Sequence, residues 1–107
     1  SNKKNALYNK VLLACALAET DDEGNFTPTA VMEPLTNILN RKISIGNFQS
    51  HLTAFCSEER GKILEKHGSP RAFKYRFREP KMQSYIIMQG ILSKKVNERI
   101  LTNLSSP

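Results

Sequence analysis

Tryptophan is absent from this 107-residue chain, and cysteine occurs only at Cys15 and Cys56. The two cysteines are far apart and form no CxxC pair, which leaves a metal or redox centre without support. Each sits in an apolar helical pattern, so both are expected as buried free thiols. The longest apolar run, Val11 to Ala18, is too short to span a bilayer. No secretory or transit pattern opens the chain, and the cytoplasm is the expected compartment. Ser1-Asn2 reads as a scar of tag removal on an expressed fragment, with residues 1–4 a tag remnant or disordered start. There are no internal repeats and no low-complexity segment. The length suits one domain, large enough for its own core.

Positive charge is plentiful and unevenly placed. The formal net charge is +6. Residues 1–40 carry three cations and five anions, whereas residues 41–81 carry ten cations and four anions. A basic patch on one part of a small domain suits a polyanionic partner.

Apolar spacing predicts a first helix from about Asn5 to Glu19. TDDEGN, from Thr20 to Asn25, breaks it. Its acids lack the alternation and length of a calcium loop and read as a turn. Phe26 suits a very short strand. Thr27 and Pro28 cap and open a second helix, which Pro34 should kink or split. A third helix is expected from Ile45 to Ser57, with Ser44 as its cap. Its outer face, Asn47, Gln49, Ser50, Thr53 and Ala54, is polar or small and carries no charge. Amides and hydroxyls of this kind suit base edges in a major groove.

Ile63 to Lys66 and Ala72 to Phe77 read as two strands joined by HGSPR, a hairpin loop by its Gly and Pro. In RAFKYRFRE, Phe73, Tyr75 and Phe77 alternate with Lys74, Arg76 and Arg78. Successive strand residues point to opposite faces, so rings are expected inside and cations outside. An antiparallel sheet with one wet face alternates in the same way without any ligand. Pro80 opens a fourth helix, weakened by Gly90. A further stretch bearing Val96, Ile100 and Leu104 either continues that helix past Ser93 or docks separately.

This order predicts a mainly α fold with a small β-hairpin (α+β). It is the order of a winged helix-turn-helix spanning 5–92, followed by a C-terminal helical extension and tail over 93–107. Residues 45–57 would be the recognition helix and 63–77 the wing. Asn47, Gln49, Ser50 and Thr53 would lie near bases. Arg41, Lys42, Lys62, Lys66, Arg71, Lys74, Arg76 and Arg78 would meet phosphates, which position a protein on a duplex without reading its sequence.

Enzyme chemistry finds little footing. His51 and His67 have no Cys or carboxylate arrangement suggesting a triad, and they lack two further ligands at metal spacing. Glu58-Glu59 are expected as solvated acids at a helix end. No catalysis and no cofactor are expected of this chain.

LYNKVLLACALAETDDEGNFT, ISIGNFQSHLTAFCSEERGKIL and RAFKYRFREPKMQSYIIMQGI together resemble the C-terminal winged-helix region of bacterial AAA-type, origin-recognition-like ATPases. The resemblance covers about Leu7 to Gly90. It implies a winged helix that binds double-stranded DNA and is tethered to a parent ATPase core in cis. The chain has no GxxxxGK[ST] phosphate loop, so ATP binding would belong to that parent. Winged helices also serve as protein-interaction modules, so a regulatory domain that packs on its own ATPase core or a partner protein stays open beside the DNA reading.

Overall fold

Alanine and other small residues let α1 (Asn2–Leu17) be surrounded by its neighbours. Val11, Leu12, Ala14, Cys15 and Ala16 are all buried along it, so more than one face of this helix is covered. The computed structural model describes the backbone of residues 2–105 and the side chains of residues 6–94. α1 starts at Asn2, ahead of the point marked by apolar spacing. The acidic turn follows. Asp21 Oδ1 accepts from the backbone N–H groups of Glu23 and Asn25, both at 2.9 Å. Short acidic side chains favour this local bond over continued helix.

Helix α2 (Pro28–Leu39) begins as its sequence dictates, with Thr27 Oγ1 accepting from Ala30 N–H at 3.3 Å and Pro28 in the first turn. Pro34 lies inside this single helix, so of the kink or split that it could impose, the split does not occur. The proline costs the Ala30 carbonyl its helical partner. Val31 and Leu35 are fully buried on either side and hold both halves to the core. The helix ends at Asn40, in the left-handed region at φ 54°.

The expected third helix, 45–57, is shorter than its apolar spacing implied. A 3₁₀ turn covers Ile45–Asn47, Phe48 breaks the helical path at φ −130°, and α3 runs only over Gln49–Phe55. Asn47 causes the interruption locally. Its Oδ1 accepts from both the backbone N–H and the hydroxyl of Ser44, each at 2.9 Å, which favours a tight turn over a full helical one. Phe48, Leu52 and Phe55 then point into the core with no exposed surface.

β1 (Leu64–His67) and β2 (Lys74–Phe77) form an antiparallel hairpin, pairing Leu64 with Phe77 and His67 with Lys74. β1 keeps its expected length but lies one residue later, and β2 starts two residues later than expected. Phe26 adds a single bridge to the far side of Tyr75, through two reciprocal 2.8 Å hydrogen bonds. Gly68 serves the loop at φ 98°, where an added Cβ would lie 2.6 Å from the Ala72 carbonyl oxygen. Only glycine accepts that combination without strain.

The last element, α4 (Pro80–Ser105), is one continuous helix. Gly90 does not end it, because an added Cβ there would sit 2.8 Å from the Leu13 methyls: the glycine lets α4 lie close on α1. Gln83 Nε2 also donates to the Ala16 carbonyl at 3.1 Å. The Val96, Ile100 and Leu104 stripe lies outside the residues whose side chains are described. No helix among the described residues is long and apolar enough to cross a membrane.

The architecture is therefore four helices with a two-stranded antiparallel hairpin, an α+β arrangement. Five rings, Phe26, Phe48, Phe55, Tyr75 and Phe77, lie at the centre, each at most 5% exposed. Burying one such side chain contributes about 1.5–3 kcal/mol, so these rings tie helices and hairpin into one core. Cys15 is buried, as expected, while Cys56 is only half-buried. Burial raises both thiols above their ordinary range, and Lys66 and Lys62 partly counter this at Cys56.

Candidate nucleic-acid interface

The outer face of α3 is uncharged, and its polar groups are already partly engaged. Asn47 caps the turn through Ser44. Gln49 Nε2 donates to the Tyr75 hydroxyl at 3.1 Å, linking α3 to β2. Thr53 Oγ1 donates to the Gln49 carbonyl at 3.2 Å. Asn47, Ser50 and Thr53 are exposed, and Gln49 is half-buried. His51 is half-buried too, and burial lowers its pKa from the usual value.

The hairpin register separates the cations into two groups. Lys74 and Arg76 alternate with the buried Tyr75 and Phe77, so they face away from the core, as the alternation required. Neither stands alone there. Lys74 Nζ lies 3.2 Å from Asp21 Oδ2, and Arg76 lies 3.3 Å from Glu65 Oε2. His67 Nε2 is 3.2 Å from the same Glu65 oxygen. Asp21 sits below the ordinary carboxylate range because the Asn25 and Glu23 N–H groups and Lys74 all favour its ionised form. The outer face of the hairpin thus mixes charges of both signs. Of the three rings on this segment, Phe73 is only half-buried, with Lys66 Nζ 3.9 Å from its centre.

The remaining expected phosphate contacts are differently placed. Arg41, Lys42, Lys62, Lys66, Arg71 and Arg78 are exposed and make no ion pair among the described residues. Arg41 and Lys42 lie between α2 and the turn that leads into α3. Lys62 and Lys66 act electrostatically on Cys56, the residue that closes α3. Positive charge therefore flanks both ends of α3, while Arg71 stands in the hairpin loop and Arg78 follows β2.

Sequence reasoning missed three participants. Tyr75 was legible as a core ring, but its hydroxyl also fixes Gln49. Asp21 and Glu65 neutralise the two strand cations. Glu65 could have been found from the hairpin register, because it lies directly opposite Arg76. Asp21 could not, since it is 53 residues from Lys74 in the chain. Among the described residues, no group of three or more His, Cys, Asp or Glu could hold a metal ion. Glu58 and Glu59 are exposed in a 3₁₀ turn. No family model matches the chain, and no curated protein or solved structure matches it.

Proposed function

We propose that this domain is a winged helix that binds double-stranded DNA mainly through the phosphate backbone. In this reading α2, the turn at 45–47 and α3 form the helix-turn-helix, and β1–β2 is the wing. α3 enters the major groove, with Arg41 and Lys42 reaching phosphates at one end and Lys62, Lys66 and Arg71 at the other. The observation that carries the proposal is the uncharged exposed face of α3 between two sets of cations that have no acidic partner among the described residues.

The same inventory argues for loose sequence discrimination. Base readout needs donors and acceptors free to pair with base edges. Gln49 is held by Tyr75, Asn47 by Ser44 and Thr53 by the helix backbone, which leaves Ser50 the least committed. Such a domain would act in the cytoplasm as a tethered binding module, its affinity raised by a multimeric parent. Anisotropy of a labelled duplex of about 20 bp, titrated with salt, tests this. Five phosphate contacts predict a log–log slope near −4.5. A flat salt response, or no binding at low salt, refutes it.

A second reading, a module that packs on its own ATPase core or a partner protein, is favoured by a separate observation. Tyr85, Met88, Ile91 and Leu92 on α4 are each at least half exposed. In that case charge reversal around α3 would leave the function intact.

A further inference from the structure

A second surface, formed by helices, is apolar and shaped. α1, α2 and α4 enclose an open trough of about 1590 Å³, lined by Leu13, Leu17, Pro34, Ile38, Ile87 and Ile91 among others. Beside it, Tyr85, Met88 and Leu92 recur at spacings of three and four residues, which places them on one flank of α4. They are 58%, 60% and 51% exposed. Met88 and Leu92 stand outside the trough, and Tyr85 marks its edge. A ridge and a groove of matching apolar chemistry thus lie side by side on one face. This is the requirement for a two-fold interface, where the ridge of each copy enters the groove of the other.

The charges on the trough are arranged consistently with this. α4 runs antiparallel to α1: Gln83 meets Ala16, and Gly90 meets Leu13. Glu19 therefore lies at one end of the trough, and Lys10 and Lys94 lie at the other. Glu33, from α2, is the fourth charge and brings the trough lining to neutrality. Two-fold packing with the α4 helices antiparallel brings the Glu19 end of one copy to the Lys94 end of its mate.

We infer that the chain forms a homodimer through this face, with the Tyr85–Met88–Leu92 ridge of each copy seated in the α1–α2–α4 trough of the other. This inference does not depend on DNA binding. Sedimentation equilibrium of the full chain over about 1–100 µM tests it. The expected result is a species of twice the 12.1 kDa chain mass. Met88→Glu/Leu92→Glu, at exposed positions, should yield a folded monomer by circular dichroism, with association weakened at least 100-fold. Glu19→Lys and Lys94→Glu should each weaken the dimer, and the two together should restore it. A chain that stays monomeric across the range overturns the inference. So does a dimer unaffected by the ridge variant, or a charge-swapped double variant no tighter than either single one.

Discussion

Gln49 and Tyr75 are joined by a 3.1 Å hydrogen bond between the amide of a helix and the hydroxyl of a strand. The bond spans 26 residues of sequence and fixes α3 to the hairpin. Tyr75 is 1% exposed and also bridges to Phe26, so one residue ties together a helix, a strand and the segment before α2. Tyr75→Phe keeps the ring and removes the hydroxyl. A net loss of about 0.5–1.5 kcal/mol is expected from the missing bond. Urea unfolding should show a lower midpoint with an unchanged slope.

Pro34 lies inside an unbroken helix. Proline costs about 3 kcal/mol relative to alanine in a helix interior. Its stiffening of the unfolded chain returns about 0.4–1 kcal/mol. Pro34→Ala should therefore stabilise the domain by roughly 2 kcal/mol, because the Ala30 carbonyl regains a donor. Thermal unfolding by circular dichroism checks this, with a rise of several degrees expected per kcal/mol.

Gly68→Ala has the opposite sign. Both the positive φ and the 2.6 Å approach to a backbone oxygen oppose a side chain there. A loss of about 1–3 kcal/mol is expected. Hydrogen exchange should show faster exchange of the β1 and β2 amides than of those in α1.

Acid should loosen the turn at Asp21. Its carboxyl titrates lower in the folded chain than in the unfolded one. As pH falls, the unfolded chain takes up the proton first and unfolding is favoured. The contribution is fully present above the ordinary value of about 3.9 and is lost as pH drops through the folded value below it. Stability measured between about pH 5 and pH 2 should fall less steeply in Asp21→Asn than in the parent chain.

Much of the fold was legible in the sequence because its elements are marked locally. Thr27-Pro28 announced α2, TDDEGN announced a turn, and the alternation in RAFKYRFRE announced a strand with Tyr75 and Phe77 inside. The misses have physical causes. Pro34 is expected to kink or split α2, and the split does not occur, because burial of Val31 and Leu35 holds both halves to the core. The third helix was drawn too long because apolar spacing does not register the Asn47–Ser44 bonds. Of the candidate site, the uncharged face of α3 and the surrounding cations were readable. The neutralisation of Lys74 by Asp21 was not, because it depends on a tertiary contact between distant segments.

That neutralisation sets the most direct test of DNA binding by the cations around α3. Two charge-reversed chains, Lys62→Glu/Lys66→Glu and Lys74→Glu/Arg76→Glu, differ in which face of the hairpin they alter but carry the same net charge. Both should be titrated onto one labelled duplex of about 20 bp at several salt concentrations. Each lost phosphate contact lowers the salt slope by about 1. The account predicts that Lys62→Glu/Lys66→Glu loses about two units of slope and most of its affinity, while Lys74→Glu/Arg76→Glu loses much less. Equal losses in the two chains, or a greater loss in Lys74→Glu/Arg76→Glu, would contradict it.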